Sequence, residues 1–288
     1  MIALEWRLRT RTLRLNRPLV MGIVNVTPDS FSDGGKFFSP LAAAAHGRML
    51  IAQGADLLDI GGESTRPQGA TPVSVSEELR RVLPVLDALR ESNPETPISV
   101  DSVKSEVARE VLAHGAEVIN EVSAFRLDPG MAALCADAEC GVILMHSRGD
   151  VSTMGTYEHA SYGVDAVGEI IVELEERVAA ARSAGVARER IAIDPGVGFA
   201  KRSEHSLAVM RALPRLSALG YPLAIGASRK RFVGELSGAA NPADRLAGTT
   251  AANVLALAWG ARIFRVHDVE DARRALDTAW GILGGGDR

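Results

Sequence analysis

A chain of 288 residues, 47% hydrophobic, has enough apolar mass to bury one barrel-sized core or two smaller ones. A formal net charge of −4 leaves no basic excess for nucleic acid or an anionic membrane, so any anionic ligand must be met by local charges. No run approaches the roughly 18 apolar residues of a membrane span, and residues 1–15 alternate with charge instead of forming a signal core, which points to a cytoplasmic protein.

Residues 2 to 15 alternate in period two through Ile2, Leu4, Trp6, Leu8, Leu13 and Leu15, and predict a short hairpin around Arg9 to Thr12. A repeating pattern then begins. The first strand is Leu19 to Val24, with a loop from Asn25 to Ser39 and a helix from Pro40 to about Gln53, proline being a good residue for a first helical turn. The second strand, Asp56 to Ile60, leads through a long loop to a helix over Glu77 to Arg90. The third, Ile98 to Val100, is followed by Asp101, Ser102 and a helix from about Lys104 to His114, closed by Gly115. The fourth, Glu117 to Ile119, precedes Asn120 and a helix near Pro129 to Ala138. The fifth, Val142 to Met145, opens a long polar loop before a helix over Val164 to Ser183. The sixth is Arg190 to Ile193, followed by the segment DPGVGFAK and a helix near Glu204 to Leu219. The seventh, Leu223 to Ile225, leads to GASRKRF and to helices over Lys230 to Leu236 and Ala243 to Trp259. The eighth, Arg262 to Phe264, is followed by Arg265 to Asp268 and a helix over Val269 to Leu283.

Eight short apolar runs, each followed by a helix at roughly 30-residue spacing, predict an α/β chain of (β/α)₈ barrel type. A doubly wound sheet uses strands of the same kind and stays open at this point. The expected organisation is one domain over residues 1–288, with an N-terminal hairpin in 1–16 and a frayed tail in 284–288.

Cys135 and Cys140 are the only cysteines, too few for a disulfide framework and without the spaced His or Cys partners of a zinc site; they read as buried, inert thiols. Gly196-Val197-Gly198 is followed by Lys201 where a dinucleotide loop wants a small residue, and no phosphate-binding P-loop motif occurs. His46, His114, His159 and His205 have no spaced partners and read as structural or solvated. Lysine is scarce and its placement is informative: Lys36, Lys104, Lys201 and Lys230 all lie in segments that directly follow predicted strands.

In a parallel barrel the active site is built from the loops at the carboxyl ends of the strands. The informative residues fall there: Asn25, Thr65, Arg66, Asp101, Asn120, Met145, His146, Asp194, Ser228 to Lys230, and Arg265 to His267. Ser228-Arg229-Lys230-Arg231 reads as a Ser-capped helix start with a lysine, an anion site for carboxylate or phosphate, or more simply a capped helix with a solvated basic turn. Arg265 and His267 alternate, so both can face the barrel mouth as an anion clamp, with an Arg265–Asp268 ion pair as the simpler alternative. Asp101, Asn120 and Asp194 end three different strands. Two carboxylates and an amide suit the edge of a flat heterocycle such as a pterin or purine; a metal cluster is the alternative, disfavoured by the lack of a second spaced His.

MGIVNVTPDSFSDGG, DIGGESTRP, SVDS, INEVSA, LMH, DPGVGF, GASRKRF and RVHDV, in this order from residue 21 to 269, closely resemble the dihydropteroate synthase family of folate biosynthesis. The resemblance implies transfer of the pterin methylene from 6-hydroxymethyl-7,8-dihydropterin diphosphate to the amino group of p-aminobenzoate, with release of diphosphate. It further implies Mg²⁺ bound at Asn25, and diphosphate held by Asn25, Arg265 and His267. Asp101, Asn120, Met145, Asp194 and Lys230 correspond to the family's pterin pocket; Thr65, Arg66, Pro67, Phe199 and Ser228 correspond to its p-aminobenzoate site. The catalytic set so implied is Asn25, Asp101, Lys230, Arg265 and His267. The glycine-rich loops with Gly34, Gly35 and Gly69 are expected to close over the site, and Asp29, Asp33 or Asp101 to stabilise a cationic methylene.

Departures from the family pattern are Ser102 for Thr, Glu121 for Asp and Val197 for Phe, none of which removes an assigned group; Ser147-Arg148 lies in a variable segment. Pterin-dependent methyltransferase modules and inactive paralogues share the barrel and part of the Asp/Asn pocket. Thr65-Arg66, Ser228 to Lys230 and Arg265 to His267 favour the synthase, since methyl transfer needs neither a diphosphate nor a benzoate site. Small-molecule substrates are the expected partners, and the Ala-rich Ala243 to Trp259 helix offers a face for a homodimer or, equally, for packing on the barrel.

Overall fold

The computed structural model describes residues 5–27, 39–64 and 72–285. Two short strands, β1 (Glu5–Arg7) and β2 (Thr12–Arg14), form the expected antiparallel hairpin, with Trp6 opposite Leu13. The repeating part runs β3 (Leu19–Asn25), α1 (Pro40–Ala52), β4 (Leu57–Gly61), α2 (Val75–Ser92), β5 (Ile98–Asp101), α3 (Ser105–Ala113), β6 (Val118–Glu121), α4 (Met131–Asp137), β7 (Gly141–Met145) and α5 (Ala166–Ser183). It continues β8 (Ile191–Asp194), α6 (Ser203–Arg211), α7 (Leu213–Ser217), β9 (Ala224–Ile225), α8 (Arg231–Ser237), α9 (Leu246–Ala258), β10 (Ile263–Val266) and α10 (Val269–Ile282).

β3 to β10 pair in parallel in the order β8-β7-β6-β5-β4-β3-β10-β9. The ring is completed where Ile193 of β8 bridges Leu223, just before β9, supported by the Ile193 amide donating to the Pro222 carbonyl at 2.9 Å. That bridge and the cyclic strand order select the barrel over a doubly wound sheet. Among the described residues no helix is long and apolar enough to cross a membrane.

Period-two alternation sorts each strand into two environments. Val20, Val24, Leu58, Ile60, Val100, Ile119, Leu144, Ile193 and Phe264 point outward into the main core beneath the helices. Leu19, Met21, Leu57, Val118, Ile143, Ala192, Ala224 and Ile263 join Trp6 and Leu8 of the hairpin in a second apolar cluster. The hairpin therefore plugs the amino-terminal end of the barrel. Trp6 is fully buried, and its indole N–H donates to the Arg190 carbonyl at 2.9 Å; Arg190 in turn donates to the Leu8 carbonyl at 2.7 Å. Leu8 approaches β7 so closely that a Cβ at Gly141 would lie 2.9 Å from its terminal methyl, so a larger residue there would make Leu8 shift. With one end filled by apolar side chains, polar chemistry is left to the other.

The observed strands reach further toward that other end than their apolar runs predict: β3, β5, β6 and β8 extend through Asn25, Asp101, Asn120 and Asp194. Backbone pairing continues after hydrophobicity stops, because the ladder uses main-chain groups common to all residues. The expected helix from Glu204 to Leu219 is two helices, α6 and α7, separated near Pro214, which lacks an N–H and whose ring clashes with a helical carbonyl one turn back. The Ala243 to Trp259 helix begins instead as a 3₁₀ turn over Pro242–Arg245, with α9 proper starting at Leu246. Cys135 and Cys140 are both buried free thiols. The last three residues of the expected frayed tail, 286–288, lie outside the described residues.

Candidate active site

Four residues share one rung across the carboxyl end of the barrel: Asn25 is in register with Gly61, Gly61 with Asp101, and Asp101 with Asn120. On the opposite wall Met145 is in register with Asp194. Gly61 leaves space between Asn25 and Asp101: an added Cβ there would sit 3.9 Å from both Asn25 Oδ1 and Asp101 Oδ2. Sequence-predicted residues from five strands are thus brought to one mouth.

Arg265, on β10, reaches across it. Its Nε donates to Asp59 Oδ2 at 2.6 Å and one terminal nitrogen donates to Asp101 Oδ2 at 3.2 Å. Asn120 Nδ2 donates to the same Asp59 oxygen at 3.1 Å. Asp59 is fully buried, the middle residue of β4, and drew no role from the sequence. One signal was available, a lone carboxylate inside the run Leu57–Gly61, where an unpaired charge would be costly. The Arg265–Asp268 alternative is not observed: Asp268 pairs with Arg229, at 2.5 and 3.1 Å.

His267 and Arg265 take different partners at the mouth. His267 Nδ1 lies 2.9 Å from Ser228 Oγ, and its backbone N–H donates to the same oxygen at 3.3 Å. Ser228 therefore does not cap the following helix, as the sequence reading expected. The N-cap of α8 is Lys230, without a side-chain capping bond, and the chain enters it through Arg229 in the left-handed region (φ 57°). The anion-site argument from a Ser-capped helix is replaced by a Ser228–His267 pair that joins the ends of β9 and β10.

Lys230 projects over the Phe199 ring, its Nζ 3.9 Å from the ring centroid. Burial, with the Arg265 charge nearby, pulls the Lys230 ammonium down to about 8, against the opposing pull of Asp194 and Asp101. Burial pushes Asp101 up to about 7; Arg265 opposes this, and the charges of Asp59, Glu78 and Glu121 add to it. Burial likewise pushes Asp194 up to about 6, opposed by the Gly196 N–H, which its Oδ1 accepts at 2.7 Å, and by Lys230 and Lys201. Two carboxyls with raised pKa, an amide and a lysine around one mouth together supply hydrogen-bond donors and acceptors for the rim of a planar ring.

Met145 is buried and packs with Val103, Val122 and Met154, against which the half-buried Phe199 lies, so the pocket has an apolar wall beside its polar one. Glu121 turns away from it. Its carboxylate accepts from Ser123 Oγ at 2.6 Å and from the Ser123 and Phe125 amides, and so holds a turn in which Ala124 and Phe125 are left-handed (φ 51° and 62°).

Thr65, Arg66 and Pro67, together with Asp29, Asp33, Gly34, Gly35 and Gly69, lie outside the described residues. The base of the second loop is described. Glu63 accepts from the Val73 amide at 2.7 Å and from Lys104 at 3.0 Å, and Lys104 also donates to buried Glu78 at 2.6 Å. Lys104, noticed for its position after a strand, is thus a tie between the β4 and β5 loops.

Among the described residues no group of three or more His, Cys, Asp or Glu side chains is arranged to hold a metal. Asn25 offers an amide oxygen at the mouth. A single hard oxygen ligand fits a cation such as Mg²⁺ that keeps its waters and shares phosphate oxygens, and does not fit an all-protein cage.

Residues 21–267 match the family described as pterin binding enzyme. The chain is 45% identical over 254 residues to the dihydropteroate synthase of Synechocystis, covering 88% of this chain and 86% of that protein. Among solved structures, Xanthomonas albilineans dihydropteroate synthase with 4-aminobenzoic acid superposes with a TM-score of 0.90 at 47% identity, over 99% of this chain and all of that one. The same organism's enzyme in complex with 7,8-dihydropteroate superposes with a TM-score of 0.87 at 44% identity, over 98% of this chain and 100% of that one.

Proposed function

Because this chain belongs to the dihydropteroate synthases of the pterin-binding family, and so to the transferases, we propose that it joins 6-hydroxymethyl-7,8-dihydropterin diphosphate to the amino nitrogen of p-aminobenzoate, giving 7,8-dihydropteroate and diphosphate in folate biosynthesis. The observation that carries the reading is the Arg265 bridge to Asp59 and Asp101, set beside Asn120, Asp194 and Lys230 at one barrel mouth.

In this reading the pterin edge is met by Asp101, Asn120 and Asp194, with Met145 against its face and Lys230 at its rim. p-Aminobenzoate is assigned to Thr65, Arg66, Pro67, Phe199 and Ser228, with its ring beside Phe199 and its carboxylate toward Ser228. Arg265 and His267 receive the diphosphate, and Asn25 supplies the protein oxygen for Mg²⁺. When bound, Mg²⁺ offsets charge on the diphosphate oxygens.

An aryl amine is a weak nucleophile, so the barrier falls most if the C–O bond to diphosphate breaks early. The bond's electron pair leaves with diphosphate, whose growing charge the Arg265 guanidinium is placed to stabilise. The methylene cation left behind is delocalised into the electron-rich dihydropterin, and the carboxylate of Asp101 lies on the wall of the same pocket. The amine nitrogen then forms the new C–N bond and gives up a proton, which the released diphosphate can take. Dissociative substitution of this kind needs anion stabilisation and exclusion of water more than a strong base.

The enzyme is read as cytoplasmic and as a homodimer, the dimer being supported by Leu236 and Leu255, which stay exposed on the adjacent helices α8 and α9 (67% and 48%).

The direct test is incubation with Mg²⁺, dihydropterin diphosphate and p-aminobenzoate. Diphosphate release matched by dihydropteroate is expected; pterin binding with neither product would instead fit an inactive paralogue or a methyl-transfer module. Within the site, Lys230→Ala is expected to weaken dihydropterin binding by about 10-fold or more, the range for losing a charged hydrogen bond. Wild-type affinity in calorimetry would remove Lys230 from the pterin pocket.

A further inference from the structure

Lys201 has only 1% of its surface exposed and is among the largest fully buried side chains, yet it has no part in the chemistry proposed above. Its Nζ lies 2.7 Å from His146 Nδ1, 3.1 Å from the Phe199 carbonyl and 3.4 Å from the His146 carbonyl. Burial and the Lys201 charge hold the His146 imidazole down to about 4, so the ring is neutral. With Nδ1 accepting from Lys201, its N–H is on Nε2, which donates to Glu173 at 3.0 Å; Glu173 is also held by Arg148, whose Nε is 3.1 Å from both carboxylate oxygens. Burial also lowers Lys201 to about 7, with Asp194 and Glu173 opposing and Arg148 and Lys230 adding to the shift. Either form of the amine retains N–H groups for the Phe199 carbonyl.

The segment this amine closes is unusually constrained. Between Asp194 and Lys201 the backbone is left-handed at Gly196 (φ 66°), Gly198 (φ 80°) and Ala200 (φ 45°). A Cβ at Gly196 would fall 2.0 Å from the His146 carbonyl oxygen, and one at Gly198 would lie 3.1 Å from Lys230 Cδ. Ala200, which has a Cβ, is kept in place by its amide donating to the Met154 carbonyl at 2.6 Å and by Tyr162 Oη donating to its carbonyl at 3.1 Å. Left-handed alanine is strained and persists only where surrounding bonds over-determine it. A methionine would fill the Lys201 space without desolvating an amine, so the stem alone does not account for the residue.

We propose that Lys201 is a positioning residue: its amine knots the 194–201 segment to the end of β7, and through the Phe199 carbonyl it sets the Phe199 ring at the acceptor side of the mouth. The proposal rests on the reading of Phe199 as part of the p-aminobenzoate site. The backbone of Asp194 on the pterin side is anchored separately, since the His146 amide donates to the Asp194 carbonyl at 2.9 Å and Asp194 belongs to the β8 ladder. Loss of the knot should therefore be felt unequally by the two substrates.

Lys201→Met is expected to raise the KM for p-aminobenzoate by about 10-fold, with kcat and dihydropterin affinity changed by less than about threefold. Lys201→Gln, which retains N–H donors, should recover part of the loss. Amide hydrogen exchange at residues 196–200 should speed up in Lys201→Met without any substrate present. Unchanged p-aminobenzoate KM with unchanged exchange would overturn the proposal, and so would equal weakening of both substrates, which marks general loosening. If Lys201→Met does not fold, His146→Ala decides on the same readouts, because it removes the Nδ1 acceptor and keeps the lysine. Absence of turnover in the wild-type protein would count against the functional reading, while the exchange measurement would still test the knot.

Discussion

Arg265→Ala is expected to lower kcat by about 10²-fold or more, equivalent to roughly 2.7 kcal/mol of transition-state stabilisation. The guanidinium is held on two sides, by Asp59 at 2.6 Å and Asp101 at 3.2 Å, so it is preorganised and its charge meets the departing diphosphate without reorganising first. Removing it also leaves the Asp59 carboxylate, fully buried, with Asn120 as its remaining partner. Breaking a buried pair on one side costs about 3 kcal/mol in folding, so melting should shift downward together with activity. Steady-state kinetics with both substrates, alongside a thermal melt, separates the two effects. Arg265→Lys keeps the charge and loses the fork, and should fall between wild type and alanine in kcat. A wild-type kcat in Arg265→Ala would remove Arg265 from leaving-group stabilisation, and the site would then need another cation for that task.

The second large effect lies at the opposite end of the barrel and concerns stability. Trp6→Ala removes a fully buried indole from the plug and leaves the Arg190 carbonyl without its donor. Large-to-small substitutions of buried tryptophan cost about 3–5 kcal/mol, which in a chain of this size lowers Tm by roughly 6–10 °C. Trp6→Phe, which fills most of the space and loses only the N–H, should cost about 1 kcal/mol. Below the melting transition kcat should stay within about twofold of wild type, because the plug and the mouth occupy opposite ends of the strands. A calorimetric Tm within about 2 °C of wild type would show that the hairpin is an appendage and not part of the core.

These two residues illustrate how unevenly the molecule is written in its sequence. The eight-fold alternation of apolar run and helix, the N-terminal hairpin and the polar residues ending each strand are local patterns, set by side-chain periodicity and turn chemistry, and the strands appear in the structure within a residue or two. Asn25, Asp101, Asn120 and Asp194 were legible because a polar residue directly after an apolar run has one place to be in a parallel barrel. The motif order from residue 21 to 269 carried the family, which residues 21–267 bear out.

What local pattern does not contain is which side chains meet. Asp59 was passed over as part of a strand, since its partner Arg265 is 206 residues away and only barrel closure brings the two together. Ser228 looked like a helix cap and is instead bonded to His267, 39 residues later, because Arg229 turns left-handed and moves the cap to Lys230. Lys201 stands out in the sequence only by its place after a strand, and burial with three acceptors around its Nζ makes it a knot. By itself the sequence determined the element order, the barrel class and the residues available at the mouth, because those follow from interactions within a few residues along the chain. Tertiary structure alone decided the pairings of Arg265 with Asp59 and Asp101, of Ser228 with His267 and of Lys201 with His146, because a buried charge takes whatever partner the closed barrel sets within hydrogen-bond reach.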